Sequence, residues 1–296
     1  MNFLSALLYH TLMVPVSRLP FRALYAVSDV VYVLLYHVIR YRRKVVESNI
    51  AGAFPDMPEA KRRTVIRKFY RHFCDLLLES FKLFTISEKD LRERIVFENT
   101  DVLNQFFEQG RSVILAGGHY NNWEYFAVAF QLHIRHQAVA LYKPLANKWF
   151  DARMRANRGR YGMKMIPIQE AKGFFQSVQE RPVATVFGMD QSPSKVSRSH
   201  WMTFLGRDTA VTFGTEKYSR DFNQPVVFGS IGKVKRGYYR IRFTTITDEP
   251  ANMPHGRIVE RAMEMLEADI RHEPEWWLWT HRRWKHKRPA SAVPAS

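Results

Sequence analysis

A histidine and a glutamate lie five residues apart in the segment Gly118-His119-Tyr120-Asn121-Asn122-Trp123-Glu124. A carboxylate that accepts a hydrogen bond from one imidazole nitrogen fixes the tautomer, so that the other nitrogen can take a proton from an attacking hydroxyl. Because five residues of a regular helix turn the chain by about 500°, His119 and Glu124 can meet only if His119 precedes a helix and Glu124 lies in its first turn. A structural reading also stays open, in which His119 caps the helix and Glu124 complements its dipole.

Arginines and one aspartate downstream supply further candidates. Arg158 lies on a predicted helix that follows Tyr142-Lys143-Pro144, and an arginine there could stabilise an oxyanion or clamp a phosphate, although a solvated basic face is the simpler interpretation. Asp190 directly follows a predicted strand, where it could orient an arginine, bind an acceptor or cap a loop. The substrate-binding candidates are Asn122, Lys143, Arg160 and Asp190. No His-x-x-x-His or paired-carboxylate spacing points to a metal site, so none is expected.

Strands and helices must position these residues. Short β-branched runs predict strands at 112–116, 138–142, 163–168, 183–187, 226–229 and 239–246. Helical patterns alternate with them at 122–133, 148–158, 171–180, 212–220 and 257–272, and a further pattern covers 65–84. This alternation predicts an α/β domain with a largely parallel sheet flanked by helices, in which His119 lies at the carboxyl edge of the sheet.

Composition narrows the classes of protein that the chain can belong to. Of its 296 residues, 46% are hydrophobic, which is too many for a disordered protein. The mean hydropathy of −0.32 excludes a polytopic membrane protein, which would need several long apolar spans. The net charge of +17 indicates an anionic partner, such as nucleic acid, a membrane surface or a phosphorylated substrate. With Cys74 as its one cysteine, the chain has no internal disulfide, as expected for the reducing cytoplasmic side.

The N-terminus reads as a membrane anchor. Residues 23–39 form an apolar run of a length that just reaches the range needed to span a bilayer, and Arg40 and three more basic residues follow closely. Asp29 would be unfavourable at mid-bilayer, so the segment could instead lie in the interface. A buried core helix is the alternative, and a cleaved signal peptide fits poorly. We therefore expect an anchor at 1–45, a catalytic domain at 46–289 and a flexible tail at 290–296.

The C-terminal segment 275–288 interleaves tryptophans with basic residues. Such a run can stack on nucleic acid bases or lie at a membrane interface. Some of the tryptophans could equally fill the core. The sequence alone leaves these three interpretations open.

Taken together, these motifs resemble the bacterial lipid A biosynthesis acyltransferases of the lauroyl/myristoyl type, within the lysophospholipid acyltransferase superfamily. That superfamily shares a His-x-x-x-x-Asp/Glu motif, and the lipid A branch often reads Gly-His-x-Gly-Asn-Trp-Glu, where this chain has Asn121 in place of the second glycine. The other matching segments are Glu47-Ser48-Asn49-Ile50 with Ala53-Phe54-Pro55, Tyr142-Lys143-Pro144, Arg158, Asp190-Gln191, Phe204-Leu205-Gly206, and Trp277-Leu278-Trp279-Thr280-His281-Arg282-Arg283-Trp284-Lys285.

The resemblance implies a glycerolipid-acyltransferase-like fold and an enzyme on the cytoplasmic side of the bacterial inner membrane. It would move a fatty acyl chain from an acyl carrier protein thioester to a hydroxyl of an anionic lipid A precursor, with no cofactor. His119, Glu124 and Arg158 would be its catalytic residues. Acylation of a lysophospholipid, glycolipid or aminolipid is an alternative within the superfamily. A non-catalytic protein that binds membranes or nucleic acid is a remote alternative, and no nucleic acid partner is expected.

Overall fold

The computed structural model describes residues 2–289, without the side chains of residues 2–4 and 198. The predicted tail, 290–296, lies outside the described residues. Helices cover both faces of one large sheet. The α-helices of the described chain are α1 (Asn2–Leu8), α2 (Val14–Arg18), α3 (Phe21–Val33), α4 (Arg43–Ala53), α5 (Glu59–Lys82), α6 (Glu88–Arg94), α7 (Asp101–Glu108), α8 (Trp123–Ala129), α9 (Lys148–Arg158), α10 (Ala171–Gln176), α11 (Gly214–Asp221) and α12 (Arg257–His272). Two π-helical turns, Tyr9–Met13 and Leu34–Val38, continue α1 and α3.

The large sheet has seven strands, and most of them run parallel. The strands are β1 (Ile95–Phe97), β2 (Val113–Gly117), β3 (Gln137–Tyr142), β4 (Lys164–Pro167), β5 (Val183–Gly188), β6 (Ser199–Phe204), β7 (Arg207–Thr212), β8 (Val226–Lys235) and β9 (Tyr238–Thr247). The order in the large sheet is β1-β9-β8-β2-β5-β3-β4, and β6 and β7 form a separate antiparallel pair. Only the β8–β9 pairing is antiparallel in the large sheet. The α/β class and the largely parallel sheet expected from the sequence are confirmed.

All six predicted strands are present within one to six residues at their ends, and the helices 148–158 and 257–272 have the predicted bounds. The prediction missed β1, which is too short to show a period of two, and the β6–β7 hairpin. That hairpin turns through Leu205 and Gly206, which both have left-handed backbone conformations. Its turn lacks the Asn-Gly or Asp-Gly signal by which short hairpins are recognised.

Buried apolar side chains form two cores, one on each face of the large sheet. One core lies under α5 and α12 and includes Ile258, Met263 and Trp279. The other lies under α7 and α8 and includes Tyr125 and Phe130. Because parallel strands must be covered on both faces, these two layers hold β2 and β5 at the centre of the molecule.

The apolar N-terminal segment is a helix that packs on the domain along one side. Phe21–Val38 is long and apolar enough to cross a membrane. Along one side, Tyr25 donates to Glu79 on α5, Ser28 donates to Asp75, and Asp29 pairs with Arg236. The other side is exposed and carries apolar residues, which are Val30, Val33, Leu34, Val38 and Ile39.

Candidate active site

His119 lies where the chain leaves the carboxyl end of β2. Gly118 precedes it at a close approach to α12, because a Cβ on Gly118 would lie 2.6 Å from Cδ2 of Leu266. Asn121 then takes a left-handed backbone conformation with φ of 52°, which asparagine tolerates better than most residues. This explains how asparagine can stand where the family often has glycine. The turn brings Trp123 and Glu124 into the first turn of α8.

The partner of the imidazole is Asp190. Nδ1 of His119 lies 2.7 Å from Oδ1 of Asp190, and the backbone N–H of His119 donates to Oδ2 at 2.9 Å. The register of the sheet explains this contact, because β2 and β5 are parallel neighbours and pair Gly117 with Gly188. Two residues beyond that pair, the chain places His119 beside Asp190.

His119 and Asp190 shift each other's pKa values in opposite directions. Asp190 is 2% exposed, and its Oδ2 also accepts a hydrogen bond of 2.7 Å from Nε1 of Trp277. Burial alone would raise the pKa of Asp190, but the charge and hydrogen bonds of His119 outweigh it and bring the pKa to about 2. In the same way, burial lowers the pKa of His119 but Asp190 raises it more, so that the net pKa lies above its usual value. The aspartate is therefore ionised at neutral pH and holds a proton on Nδ1.

The predicted hydrogen bond between His119 and Glu124 is wrong for the described structure. Glu124 instead accepts a bidentate pair from Arg158, with 2.6 Å from Nη2 to Oε1 and 3.0 Å from Nε to Oε2. A charge-assisted fork of this kind is among the strongest side-chain interactions, and it directs Glu124 to α9. The carboxylate still lies near enough to His119 to help raise its pKa. Both residues therefore face the same space without a direct hydrogen bond.

The second imidazole nitrogen, Nε2, faces away from Asp190. With the proton on Nδ1, Nε2 carries a lone pair, and the amide nitrogen of Gln191 lies 3.1 Å from it in the geometry of a donor. Gln191 is exposed, whereas the side chain of His119 is 23% exposed. In the neutral form of the ring, Nε2 can therefore accept a proton, and His119 lines the cavity and is partly exposed.

An apolar cavity of about 400 Å³ opens beside Nε2. His119, Glu124, Arg158 and Gln191 lie at its polar part. The remaining wall is mostly apolar and comes from β2, β3, β4, β5 and α8, with side chains that include Phe126, Ala127, Ala140, Leu141, Met163, Met165, Val186 and Phe187. A slot of this kind suits a hydrocarbon chain whose reactive end lies next to the histidine.

The substrate-binding candidates have different surroundings. Asn122 is 1% exposed; its amide donates to Glu79 and its oxygen caps α8 at the N–H of Tyr125. Arg160 is exposed and donates to the carbonyl of Leu83 at the end of α5. Lys143 is exposed beside the cavity residue Tyr142. The roles of these residues in substrate binding stay predictions, and in the structure Asn122 and Asp190 hold the active-site loop.

The C-terminal segment packs against the loop that carries His119. Trp277 and Trp279 are 2% and 0% exposed, so they belong to the core, as one of the three sequence interpretations proposed. The backbone around Trp277 also pairs with the His119 loop, since Asn121 donates to the carbonyl of Trp276 and Leu278 donates to that of His119. Sequence reasoning did not assign Trp277 to the site. The sequence indicates only that a tryptophan at this position could be buried, and it does not reveal that its partner, Asp190, lies 87 residues away in the chain.

Comparison with known proteins identifies the family of this chain. The family model of the bacterial lipid A biosynthesis acyltransferases matches residues 2–286. The chain is 22% identical over 262 residues to a lipid A biosynthesis acyltransferase of Haemophilus influenzae, covering 86% of this chain and 80% of that protein. It is 22% identical to the lipid A biosynthesis palmitoleoyltransferase of Escherichia coli K12, covering 90% and 87% of the two chains. It is also 21% identical to the lipid A biosynthesis lauroyltransferase of the same organism, covering 91% and 88%. The chain, with its histidine beside an apolar slot, therefore belongs to the bacterial lipid A biosynthesis acyltransferase family and is an acyltransferase.

Proposed function

We propose that this enzyme transfers a fatty acyl chain from an acyl carrier protein thioester to a hydroxyl of a lipid A precursor. Family membership supports acylation of lipid A. The observation that carries the chemistry is the imidazole of His119, held by Asp190 on one side and open to an apolar cavity on the other. The acceptor is the source of the nucleophile, so that no serine or cysteine of the enzyme needs to be acylated.

In this mechanism His119 is the general base. Nε2 removes the proton of the acceptor hydroxyl as the oxygen attacks the thioester carbonyl. The tetrahedral intermediate collapses with cleavage of the C–S bond, and the imidazolium returns its proton to the leaving thiolate. Asp190 stabilises the positive charge on the ring throughout and fixes the tautomer.

Arg158 is placed to stabilise the oxyanion. Arg158 lines the cavity, and its Nε and Nη2 both donate to Glu124. Its Nη1 has no hydrogen-bond partner within residues 2–289. Glu124 fixes the plane of the guanidinium, so that Nη1 is available for the developing negative charge. In our proposal Glu124 acts on Arg158, and only indirectly on His119.

We also propose that the enzyme is attached to the inner membrane with its active site on the cytoplasmic side, and the apolar N-terminal helix supports the attachment. Tyr25 and Ser28 fix α3 to α5, and Asp29 fixes it to Arg236 between β8 and β9, so its apolar other side is the part that is free to enter lipid. This geometry favours a helix that lies in the membrane interface over one that crosses the bilayer. The net charge of +17 would attract both an anionic membrane and an acidic carrier protein.

The test is an acyl transfer assay with acyl carrier protein thioester and a phosphorylated lipid A precursor, read by mass spectrometry of the product. We expect His119→Ala to lower kcat about 10²–10⁴-fold, the usual contribution of a general base. The matched control is His255→Ala, a histidine exposed to solvent away from the cavity. Turnover of folded His119→Ala close to that of the control would refute the mechanism, and an acylated product other than lipid A would redirect the choice of acceptor.

A further inference from the structure

A second cleft, of about 610 Å³, lies outside the active-site cavity. Its walls come from α3, α5, the β8–β9 hairpin and Trp276. It contains four cationic side chains, and two of these are neutralised. Lys68 pairs with Glu275 at 2.8 Å, and Arg236 pairs with both Asp29 and Asp75.

Lys233 is the unusual member of the cleft. Its Nζ lies 3.1 Å from Nδ1 of His72 and 4.4 Å from the ring centre of Trp276. Burial lowers the pKa of Lys233, although the more distant charges of Asp75 and Glu79 oppose this effect. No carboxylate of the described residues lies within ion-pair distance of it. An ammonium that is removed from water in this way is normally paired, and it has N–H groups left for a ligand after its contact with His72.

Arg71 is the second cation of this cleft that has no carboxylate partner in residues 2–289. It lies on the exposed side of α5, with its Cζ 5.1 Å from the ring centre of Tyr32. A contact with a ring face does not use the N–H groups of the guanidinium, which stay available for a planar or tetrahedral anion. The cleft therefore offers one exposed guanidinium and one half-buried ammonium to the same ligand.

The position of the cleft identifies the kind of anion. Val33, at its rim, belongs to the exposed apolar side of α3, which is the side that our proposed function places in lipid. On β8, Ile231 lines the active-site cavity and Lys233 follows two residues later, a separation of about 7 Å along a strand. A ligand that approaches from the membrane surface would therefore bind next to a wall of the active-site cavity.

We propose that this cleft binds the phosphate group of a membrane lipid through Lys233 and Arg71. The phosphate can belong to the acceptor glycolipid, which it would align for attack, or to the headgroup of a surrounding phospholipid. The proposal rests on the proposed membrane association and acceptor class. Vesicle binding and acyl transfer, measured on the same variants, distinguish a phospholipid phosphate from an acceptor phosphate, and vesicle binding does not depend on turnover.

The first arm measures binding of the full chain to phosphatidylcholine vesicles that contain either phosphatidic acid or an amount of oleate giving the same surface charge. We expect the protein to bind the phosphatidic acid vesicles more tightly, and Lys233→Met and Arg71→Gln each to weaken that binding about tenfold without affecting the oleate vesicles. Lys235→Met and Arg67→Gln are the matched controls, since they remove cations from the same hairpin and helix outside the cleft.

The second arm measures acyl transfer to the phosphorylated acceptor and to the same acceptor after phosphatase treatment. If the acceptor supplies the phosphate, Lys233→Met and Arg71→Gln raise KM about tenfold for the first acceptor, leave kcat within about twofold, and have no effect on the second. If only vesicle binding changes, the phosphate is that of a phospholipid. If both variants behave like their controls in both arms, the proposal is wrong, whether or not acyl transfer is observed.

Discussion

The aspartate beside His119 keeps its charge because three hydrogen bonds converge on it in a buried place. Two come from His119 itself and the third from Trp277. In the proposed mechanism, an ionised carboxylate there has two effects on catalysis. It strengthens the imidazole as a base, and it stabilises the imidazolium that forms while the acceptor attacks.

Asp190→Asn should therefore lower kcat by about 10²–10⁴-fold while the protein stays folded, because an amide can present its N–H to the ring and favour the wrong tautomer. The acyl transfer assay, with a thermal unfolding midpoint for each variant, measures this. Asp208→Asn, which changes an exposed aspartate of β7, is the control. Retention of most activity in Asp190→Asn would mean that the aspartate only holds the loop.

The pH dependence of the reaction follows from the same pair. Since His119 must be unprotonated and Asp190 raises its pKa, the rate of the wild type should fall as the pH drops through that raised pKa. In Asp190→Asn burial acts without the opposing charge, so the acidic limb of the residual activity should move to lower pH. A limb that stays in place would show that another group limits the rate.

Glu124 and Arg158 should act as a unit. Glu124→Gln and Arg158→Gln should each lower kcat by about 10²–10³-fold, as is typical for the loss of an oxyanion donor. The double variant should lose little more than either single variant, because each change already disables the fork. Additive losses would contradict our proposal that Glu124 works through Arg158.

At the scale of secondary structure, α8 forms one wall of the active-site cavity. Ala127 faces the cavity from this helix, and a larger side chain there would shorten the space for the chain. We expect Ala127→Leu to shift the product towards acyl chains shorter by about two carbons, since each methylene without room forfeits about 0.8 kcal/mol of burial. Mass spectrometry of products from mixed thioesters measures the shift. Ala152→Leu, on the exposed side of α9, is the control.

The sequence predicts the elements well and their lateral order poorly. Short β-branched apolar runs locate β2 and β5, and a helical pattern locates α9, because each element shows its own burial in its residues. They do not reveal that β5 pairs with β2, since β3 and β4 intervene in the chain. The partner of His119 depends on that adjacency, and for this reason Glu124, the acid nearest in sequence, was predicted in place of Asp190.

At the scale of the whole molecule, one buried carboxylate connects the N-terminal helix to the active-site loop. Glu79 is fully buried and accepts hydrogen bonds from Tyr25 on α3, Tyr239 on β9 and Asn122 at the start of α8. Burial is the main cause that raises its pKa from 4.5 to about 7, with Asp75 adding to the effect. The N-terminal helix and the loop that carries His119 therefore share one support.

This raised pKa predicts how stability depends on pH. The folded state binds a proton at Glu79 that the unfolded state releases above pH 4.5, so the contribution to stability is complete below pH 4.5 and is lost as the pH rises to about 7. The loss amounts to roughly 3 kcal/mol at 1.36 kcal/mol per pKa unit. Glu79→Gln, which imitates the protonated form, should remove this slope in urea unfolding followed at pH 5 and pH 7.5. Glu267→Gln, a change on α12 away from this network, should keep it. An unchanged slope in Glu79→Gln would assign the pH dependence to other groups.

The indole of Trp277, near the end of the chain, has a consequence for biosynthesis. Residues 276–278 supply the third hydrogen-bond donor to Asp190. They also supply the backbone partners of the His119 loop. While the ribosome still holds that segment, the upstream sheet and the His119–Asp190 pair can form, but the third hydrogen bond to Asp190 and the backbone support of the His119 loop are missing. A chain that stops before Trp277 lacks all of these contacts, so we expect a premature stop codon there to lower acyl transfer strongly even if everything upstream folds.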